Sequence, residues 1–187
     1  MTDPLTLSDD DLLDSLERAA FGYFLSAYNP ANGLVADRSV TGSPCSIAVV
    51  GFALSSYPIA VERRWMTRDE AVERTLVALR FFLNSPQNEA PEATGYKGFY
   101  YHFLDMQSGK RTWQSELSLI DTALLLAGIL TAGAYFTDRS KSESEIRILA
   151  DAAISAGGLA LGTEWQSHSF SGMETGTRFS PLWLGGL

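Results

Sequence analysis

The sequence contains little sulfur and little histidine, which limits the metal and redox chemistry it can carry. Cys45 is the only cysteine, so a disulfide within the chain and a cysteine-based metal site are excluded. The only histidines, His102 and His168, stand far apart, and no H-E-x-x-H pattern is present. The G-x-S-x-G pattern of serine hydrolases is absent as well. We therefore expect no metal ion and no cofactor.

Positive charge is also scarce, with 14 Lys and Arg against 22 Asp and Glu and a net charge of −8. Because the chain has no basic cluster, we expect no nucleic acid partner, whereas a neutral ligand such as a sugar is compatible. No apolar run reaches the ~18–20 residues that a membrane span requires. The opening residues, MTDPLTLSDDDLLD, do not form a signal peptide, so the chain as written is expected in the cytoplasm.

Hydrophobic residues make up 45% of the chain and recur mostly at helical spacing, which predicts an all-α domain with a small β-hairpin. Five helices are predicted, over about residues 8–28, 45–62, 67–84, 115–136 and 141–153. Pro58 is expected to kink the second helix or to end it early. Ser8, Thr67 and Ser115 are the predicted caps of the first, third and fourth helices.

The predicted β-hairpin lies between the third and fourth helices. Residues 98–105, GFYYHFLD, and residues 110–113, KRTW, flank a turn with the sequence MQSG. We interpret the two flanking stretches as its strands.

Two carboxylates stand in the apolar stretch WQSELSLIDTALLLAG, which covers residues 113–128. The helical neighbours of Asp121 are Leu117, Leu124, Leu125 and Gly128. On this apolar stripe Asp121 should have a hydrogen-bonding partner or a raised pKa, and raised-pKa carboxylates in clefts serve as general acids. A purely structural hydrogen bond is the alternative for Asp121. Glu116 is predicted in the first helical turn, where a carboxylate also simply suits the helix dipole.

The segment before this helix is rich in aromatic and charged side chains. Its members are Phe99, Tyr100, Tyr101, His102, Asp105, Arg111 and Trp113. Such a segment fits a sugar site, because rings cover the apolar faces of pyranoses while carboxylates do the chemistry. Packing of these aromatics on the helices beneath them is the alternative. The helix that follows is apolar nearly all round and should be buried on every side, as in the inner ring of an α/α toroid.

Four stretches resemble the glucoamylase-like family, which includes bacterial endo-β-1,2-glucanases. They are GLVADRS, GSPCSIAVVGFALSSYPIAVERRW, GFYYHFLDMQSGKR and WQSELSLIDTALLLAGILTAGAYF. The resemblance covers about residues 10–152 and implies an (α/α)6 toroid, longer than this chain, that hydrolyses β-glucan with inversion. Family members are usually exported, and the opening residues of this sequence, which do not read as a signal peptide, differ from the family in this respect.

The resemblance assigns cavity positions to residues 37–38, 101–105 and 113–121, and the aromatic and charged segment adds Tyr100 and Arg111. Glu116 and Asp121 are the catalytic candidates, with the acid and base roles left open. The substrate-binding candidates are Asp37, Arg38, Tyr100, Tyr101, His102, Asp105, Arg111 and Trp113.

The resemblance stops at about residue 152, and residues 153–187 read as a glycine-containing, loop-rich tail. Codons permitted for residues 153–165, read one nucleotide later, can spell LYRRVDWRWALNG, which is the kind of segment with which the family continues. We therefore interpret residues 1–152 as the N-terminal half of a toroid domain and residues 153–187 as an out-of-frame tail. The nucleotide sequence tests this interpretation.

Together these features predict an incomplete (α/α)6 toroid with a small β-hairpin. The expected function is that of a β-glucan hydrolase, most specifically for β-1,2-glucan, with little or no activity in this chain alone. A non-catalytic helical carbohydrate-binding or interaction fragment is the alternative.

Overall fold

A computed structural model describes the backbone of residues 8–170 and the side chains of residues 8–156. Its helices are α1 (Asp9–Ser26), α2 (Ile47–Glu62), α3 (Arg68–Asn84), α4 (Leu119–Tyr135) and α5 (Lys141–Phe170). Its strands are β1 (Cys45–Ser46), β2 (Gly95–Tyr96), β3 (Phe99–Tyr101), β4 (Phe103–Leu104) and β5 (Leu117–Ser118). The predicted helical class with a small β element is confirmed.

The two central helices, α2 and α4, pack directly against each other. Gly51 of α2 and Gly128 of α4 lie at the crossing, where each faces the backbone of the other helix. Since neither residue has a side chain, the helix axes approach more closely than larger residues permit. Helix α5 packs against both α3 and α4, which completes the main core.

The β element consists of two small antiparallel sheets, where a single hairpin was expected. Strand β1 pairs with β4, and β3 pairs with β2 on one side and β5 on the other. The predicted turn does form, with an antiparallel bridge between Leu104 and Arg111. The strands before it take their partners from distant segments, which a local pattern does not reveal.

Helix starts follow the predicted caps in two cases and differ in a third. The side chains of Ser8 and Thr67 accept hydrogen bonds from the backbone N–H groups three residues later, as predicted for α1 and α3. Helix α4 begins after Ser118, three residues later than the predicted Ser115 cap. The reason is that Leu117 and Ser118 are first used in β5.

Helix α2 also differs from its prediction. Its predicted first residues, Cys45 and Ser46, pair with β4, so the helix starts at Ile47. Pro58 does not end it early, since α2 continues to Glu62. Burial raises the pKa of the Cys45 thiol to about 12, which leaves it protonated and without a role as a nucleophile.

The backbone is helical where a loop-rich tail was expected, since α5 continues to Phe170. Alanine and leucine, frequent in residues 149–161, have the highest helix propensities and outweigh the glycine pair at 157–158. Residues 171–187 of the predicted tail lie outside the described part of the chain.

Several large apolar side chains on three helices are exposed. They are Leu12, Leu13 and Leu16 on α1, Phe52 and Ile59 on α2, and Leu119, Ile120 and Leu130 on α4. Among the described residues, no helix combines the length and apolar character needed to cross a bilayer.

Candidate active site

His102 and Glu116 face each other because β3 and β5 are paired. The register places Tyr101 opposite Leu117, and the His102 backbone N–H continues the ladder by donating to the Glu116 carbonyl at 3.0 Å. Opposed side chains on neighbouring strands come into contact. The His102 Nδ1 atom accordingly lies 2.9 Å from Oε1 of Glu116.

Asp121 joins this pair from the first turn of α4. The Ser118 side chain accepts a hydrogen bond from the Asp121 backbone N–H at 3.1 Å and donates one to the Asp121 carboxylate. The Asp121 side chain is 17% exposed, and its Oδ2 atom lies 3.7 Å from Nδ1 of His102. The prediction that Asp121 has a hydrogen-bonding partner is confirmed. Its partner is Ser118, whose Ser-x-x-Asp spacing to Asp121 is the signal of a capped helix start, although the cap was predicted at Ser115.

Glu116 differs from its predicted position, because it precedes β5 and lies outside helix α4. Its side chain is 66% exposed. Hydrogen bonds from its own backbone N–H and from His102 hold the pKa of Glu116 below its usual value. Glu116 is therefore ionised at neutral pH, which suits a general base better than a general acid.

The two carboxylates lie close together. One oxygen of each and a ring nitrogen of His102 all lie within 4.8 Å of one another. A nitrogen and two carboxylate oxygens at this spacing could hold a divalent cation, whereas the sequence predicted no metal. An inverting glycosidase separates its two carboxyl groups by roughly 6.5–9.5 Å to admit a water molecule. The spacing of Glu116 and Asp121 is short for such a pair.

A cavity of about 740 Å³ is lined by three of the predicted substrate-binding residues, Arg38, Asp105 and Trp113, and by none of the three residues of the cluster. Tyr23 and Tyr28, which the sequence analysis did not single out for the site, also line it. The Trp113 side chain is 63% exposed. A cavity of this size with aromatic and charged walls is typical of small-ligand sites.

Three rings connect the cavity with the carboxylate cluster. The ring of Phe103 stacks on His102 with a centroid distance of 3.8 Å, and it lies 5.3 Å from the ring of Trp113. Phe103 lies within residues 101–105, which the resemblance placed at the cavity, but it was not among the named binding candidates. Its contribution depends on the pairing of β1 with β4, which the local sequence does not show.

Other predicted site residues have structural partners. Tyr100 and Tyr101 are buried, at 7% and 9% exposure, and the Tyr100 hydroxyl donates to the Phe82 carbonyl at 3.0 Å. The sequence analysis gave packing on the helices as the alternative to sugar binding. For these two tyrosines, the burial agrees with that alternative. Arg111 binds backbone carbonyls of the following loop.

The two remaining predicted aspartates also have local partners. Hydrogen bonds from the Ser108 backbone N–H and hydroxyl hold the pKa of Asp105 below its usual value. The Asp37 carboxylate pairs with Arg38 at 3.3 Å between Oδ2 and Nε.

Comparison with known proteins shows which proteins this chain is similar to. No protein-family model matches the sequence. An exo β-1,2-glucooligosaccharide sophorohydrolase from Parabacteroides distasonis is 31% identical over 148 residues, which cover 75% of this chain and 19% of that protein. The resemblance to the glucoamylase-like proteins is confirmed.

Solved structures extend this resemblance to the fold. A glucoamylase-like protein from Bacteroides uniformis superposes with a TM-score of 0.74 and 25% identity, covering 94% of this chain and 41% of that one. A β-1,2-glucanase from P. distasonis superposes with a TM-score of 0.69 and 26% identity, covering 81% and 21%. The chain thus spans about a fifth to two fifths of the length of these glucoamylase-like relatives.

The electrostatic role of His102 can be tested directly. In a His102→Phe variant, which keeps a ring stacked on Phe103, we expect the pKa of Glu116 to rise because one of its hydrogen bonds is lost. Carbon-13 NMR titration of the glutamate carboxyl groups measures this. Glu92, whose pKa is lowered by Lys110, is the internal control and should not change. An unchanged or lower Glu116 pKa would contradict the assignment.

Proposed function

We propose that this chain forms one wall of the active site of a β-1,2-glucan hydrolase. The observation that carries the proposal is the cluster of His102, Glu116 and Asp121, which the Phe103 ring connects to the exposed Trp113. Carboxylates carry out glycoside hydrolysis, and an exposed aromatic ring can cover the apolar face of a sugar. The sophorohydrolase and the β-1,2-glucanase of P. distasonis, both similar to this chain, support β-1,2-linked glucose as the substrate class.

The architecture that we propose is an incomplete (α/α)6 toroid, with residues 1–152 as its N-terminal half. Two observations support it. The solved relative from B. uniformis is more than twice the length that this chain covers. In addition, α2 and α4 expose large apolar side chains such as Phe52 and Ile120, as inner helices would without their further neighbours.

The close spacing of Glu116 and Asp121 shapes the proposed mechanism. One oxygen of each lies within 4.8 Å of the other, closer than the separation typical of an inverting pair, which favours a different pairing. We propose that Glu116, kept ionised, is one of the two catalytic carboxylates and that His102, which Asp121 approaches at 3.7 Å, orients it. The partner carboxylate of an inverting reaction would then lie elsewhere in the toroid.

This proposal predicts that the 187-residue chain alone has little or no hydrolytic activity, because it supplies one carboxylate site. Incubation with β-1,2-glucan followed by an assay of reducing ends is the measurement. Glu116→Gln is the matched control for any residual turnover. Clear turnover by the wild-type chain that Glu116→Gln removes would contradict the requirement for a second wall.

A non-catalytic carbohydrate-binding function is the second candidate. The cavity of about 740 Å³ next to Trp113 favours it, since a binding site needs no acid and base pair. Calorimetric titration with sophorotriose distinguishes the two candidates. Binding that is unaffected by Glu116→Gln and Asp121→Asn, without hydrolysis, supports the binding function.

We also propose that residues 153–187 arise from translation in a shifted reading frame. The basis is the alternative reading of the codons after residue 152. The nucleotide sequence is the test, and an intact single frame shared with close relatives would refute this proposal.

A further inference from the structure

The loop that presents Trp113 has an unusual backbone for its sequence. The Ser115 N–H donates to the Thr112 carbonyl at 3.0 Å, which closes a four-residue turn. Both central residues, Trp113 and Gln114, have positive φ angles, of 55° and 52°. Positive φ at both central positions is the pattern of a type I′ turn, in which glycine, asparagine and aspartate predominate.

Neither tryptophan nor glutamine favours this conformation. In the left-handed region the Cβ atom of an ordinary residue lies too close to the carbonyl oxygen, so each of the two residues is strained. Such strain persists only where the surrounding structure holds the backbone in place, and it is concentrated at functional sites. The structure around residues 112–115 should therefore contain a specific restraint.

Arg111 is that restraint. Its Nε donates to the Ser115 carbonyl at 2.6 Å, and its Nη2 donates to the Gln114 carbonyl at 2.8 Å. The guanidinium group also lies 4.1 Å above the ring of the buried Tyr101. A planar guanidinium can make all three contacts at once, which the single ammonium group of a lysine cannot.

The restrained turn holds Trp113 in an exposed position. The Trp113 side chain lines the cavity, and its ring lies 5.3 Å from the ring of Phe103 in a tilted arrangement. A large apolar ring kept in solvent by a strained backbone has no stabilising role that would explain the strain. It is suited to stacking against the face of a sugar ring.

We propose that Arg111 is a positioning residue that holds the strained turn so that Trp113 is presented as a rigid platform for a glucosyl unit. This replaces the sequence-based expectation that Arg111 itself contacts the substrate. The sugar part of the proposal rests on the function proposed above, whereas the positioning part does not. When Arg111 no longer holds the turn, the Trp113 side chain should become more mobile.

The positioning is tested by the fluorescence of Trp113 alone. In a background in which the other three tryptophans, Trp65, Trp165 and Trp183, are replaced by phenylalanine, Arg111→Lys should lower the anisotropy of Trp113. The far-ultraviolet circular dichroism should stay unchanged. Arg80→Lys, which alters an exposed arginine paired with Glu145, is the matched control and should leave the anisotropy unchanged. An unchanged anisotropy in Arg111→Lys would overturn the proposal.

The consequence for binding is tested by calorimetry with sophorotriose. Arg111→Lys should weaken binding by up to about tenfold, because the ordering of one side chain and its turn must now be supplied on binding. Trp113→Ala should weaken it more, and the double variant should bind no worse than Trp113→Ala. Additional weakening in the double variant would show that Arg111 contacts the sugar directly, which overturns the positioning role. If the wild-type chain does not bind sophorotriose, the proposed function fails, while the anisotropy still decides whether Arg111 positions Trp113.

Discussion

Replacing Arg68 with methionine is expected to lower the free energy of unfolding by about 3–5 kcal/mol. Arg68 begins α3, and its Nε and Nη2 donate to the two carboxylate oxygens of Glu143 in α5 at 2.7 and 2.9 Å. The Glu143 side chain is only 5% exposed, so the variant leaves a buried charge without its main partner. Chemical denaturation measures the change.

A matched control uses the exposed pair between the same two helices. Arg80 makes two hydrogen bonds of 2.8 Å to Glu145, but both side chains are at least 40% exposed. Solvent screens such pairs, and Arg80→Met should therefore cost far less stability than Arg68→Met. Equal costs for Arg68→Met and Arg80→Met would contradict the importance of burial.

The pair of Arg68 and Glu143 also predicts that the free energy of unfolding depends on pH. The hydrogen bonds from Arg68 hold the pKa of Glu143 below its usual value, so the unfolded chain takes up this proton at higher pH than the folded one. The pair stabilises the fold above the usual value of 4.5, and this stability is lost as the pH falls through the lower, folded-state pKa. In Arg68→Met the buried Glu143 carboxyl is more stable when protonated, because its main partner is missing. The difference in the free energy of unfolding between wild type and variant should therefore become smaller as the pH falls. A difference that does not change with pH would contradict this account.

Gly128→Ala is expected to lower the free energy of unfolding by about 2–3 kcal/mol, because overpacking outweighs the better helix propensity of alanine. A Cβ at Gly128 would collide with the carbonyl oxygen of Gly51 and lie 2.7 Å from its carbonyl carbon. These are backbone atoms of α2, so the helices must separate to relieve the collision. Urea denaturation is the measurement.

Gly22→Ala is the control for the effect of glycine replacement itself. Gly22 lies within α1, and a Cβ there would meet no atom within 4 Å. This variant should be neutral or more stable by up to about 1 kcal/mol through helix propensity. A loss of stability in Gly22→Ala as large as that in Gly128→Ala would contradict the role of the helix crossing.

Local signals predicted the parts of the fold that depend on neighbours in sequence. The Thr67 cap followed by an apolar run predicted α3, which runs from Arg68 to Asn84. The apolar run predicted a helix over about residues 115–136, and α4 covers Leu119–Tyr135 and packs on α2. The prediction that this helix is buried on every side is wrong, since Leu119, Ile120 and Leu130 are exposed. The resemblance of residues 10–152 to glucoamylase-like proteins likewise rests on contiguous sequence, and the comparisons confirm it.

The candidate site depended more on long-range pairing. Glu116 and Asp121 could be selected because carboxylates are unusual in an apolar stretch. Their contact with His102 arises from the β3 and β5 register, and a register one residue away would point His102 to the other face. Tyr100 and Tyr101 appeared equally suited to a sugar, yet both lie in β3 itself and are buried.

By itself the sequence determined the helical class, most helix positions and the relatives of this protein, because capping and periodicity act within one segment. Only the tertiary structure decided which residues of the stretch around residues 99–121 are exposed. It buried Tyr100 and Tyr101, placed Glu116 opposite His102, and exposed Trp113 on a turn whose carbonyls accept hydrogen bonds from Arg111. The physical reason is that strand register is set by distant partners, which leave no period in the local sequence, and that the left-handed turn runs against the preferences of its own residues.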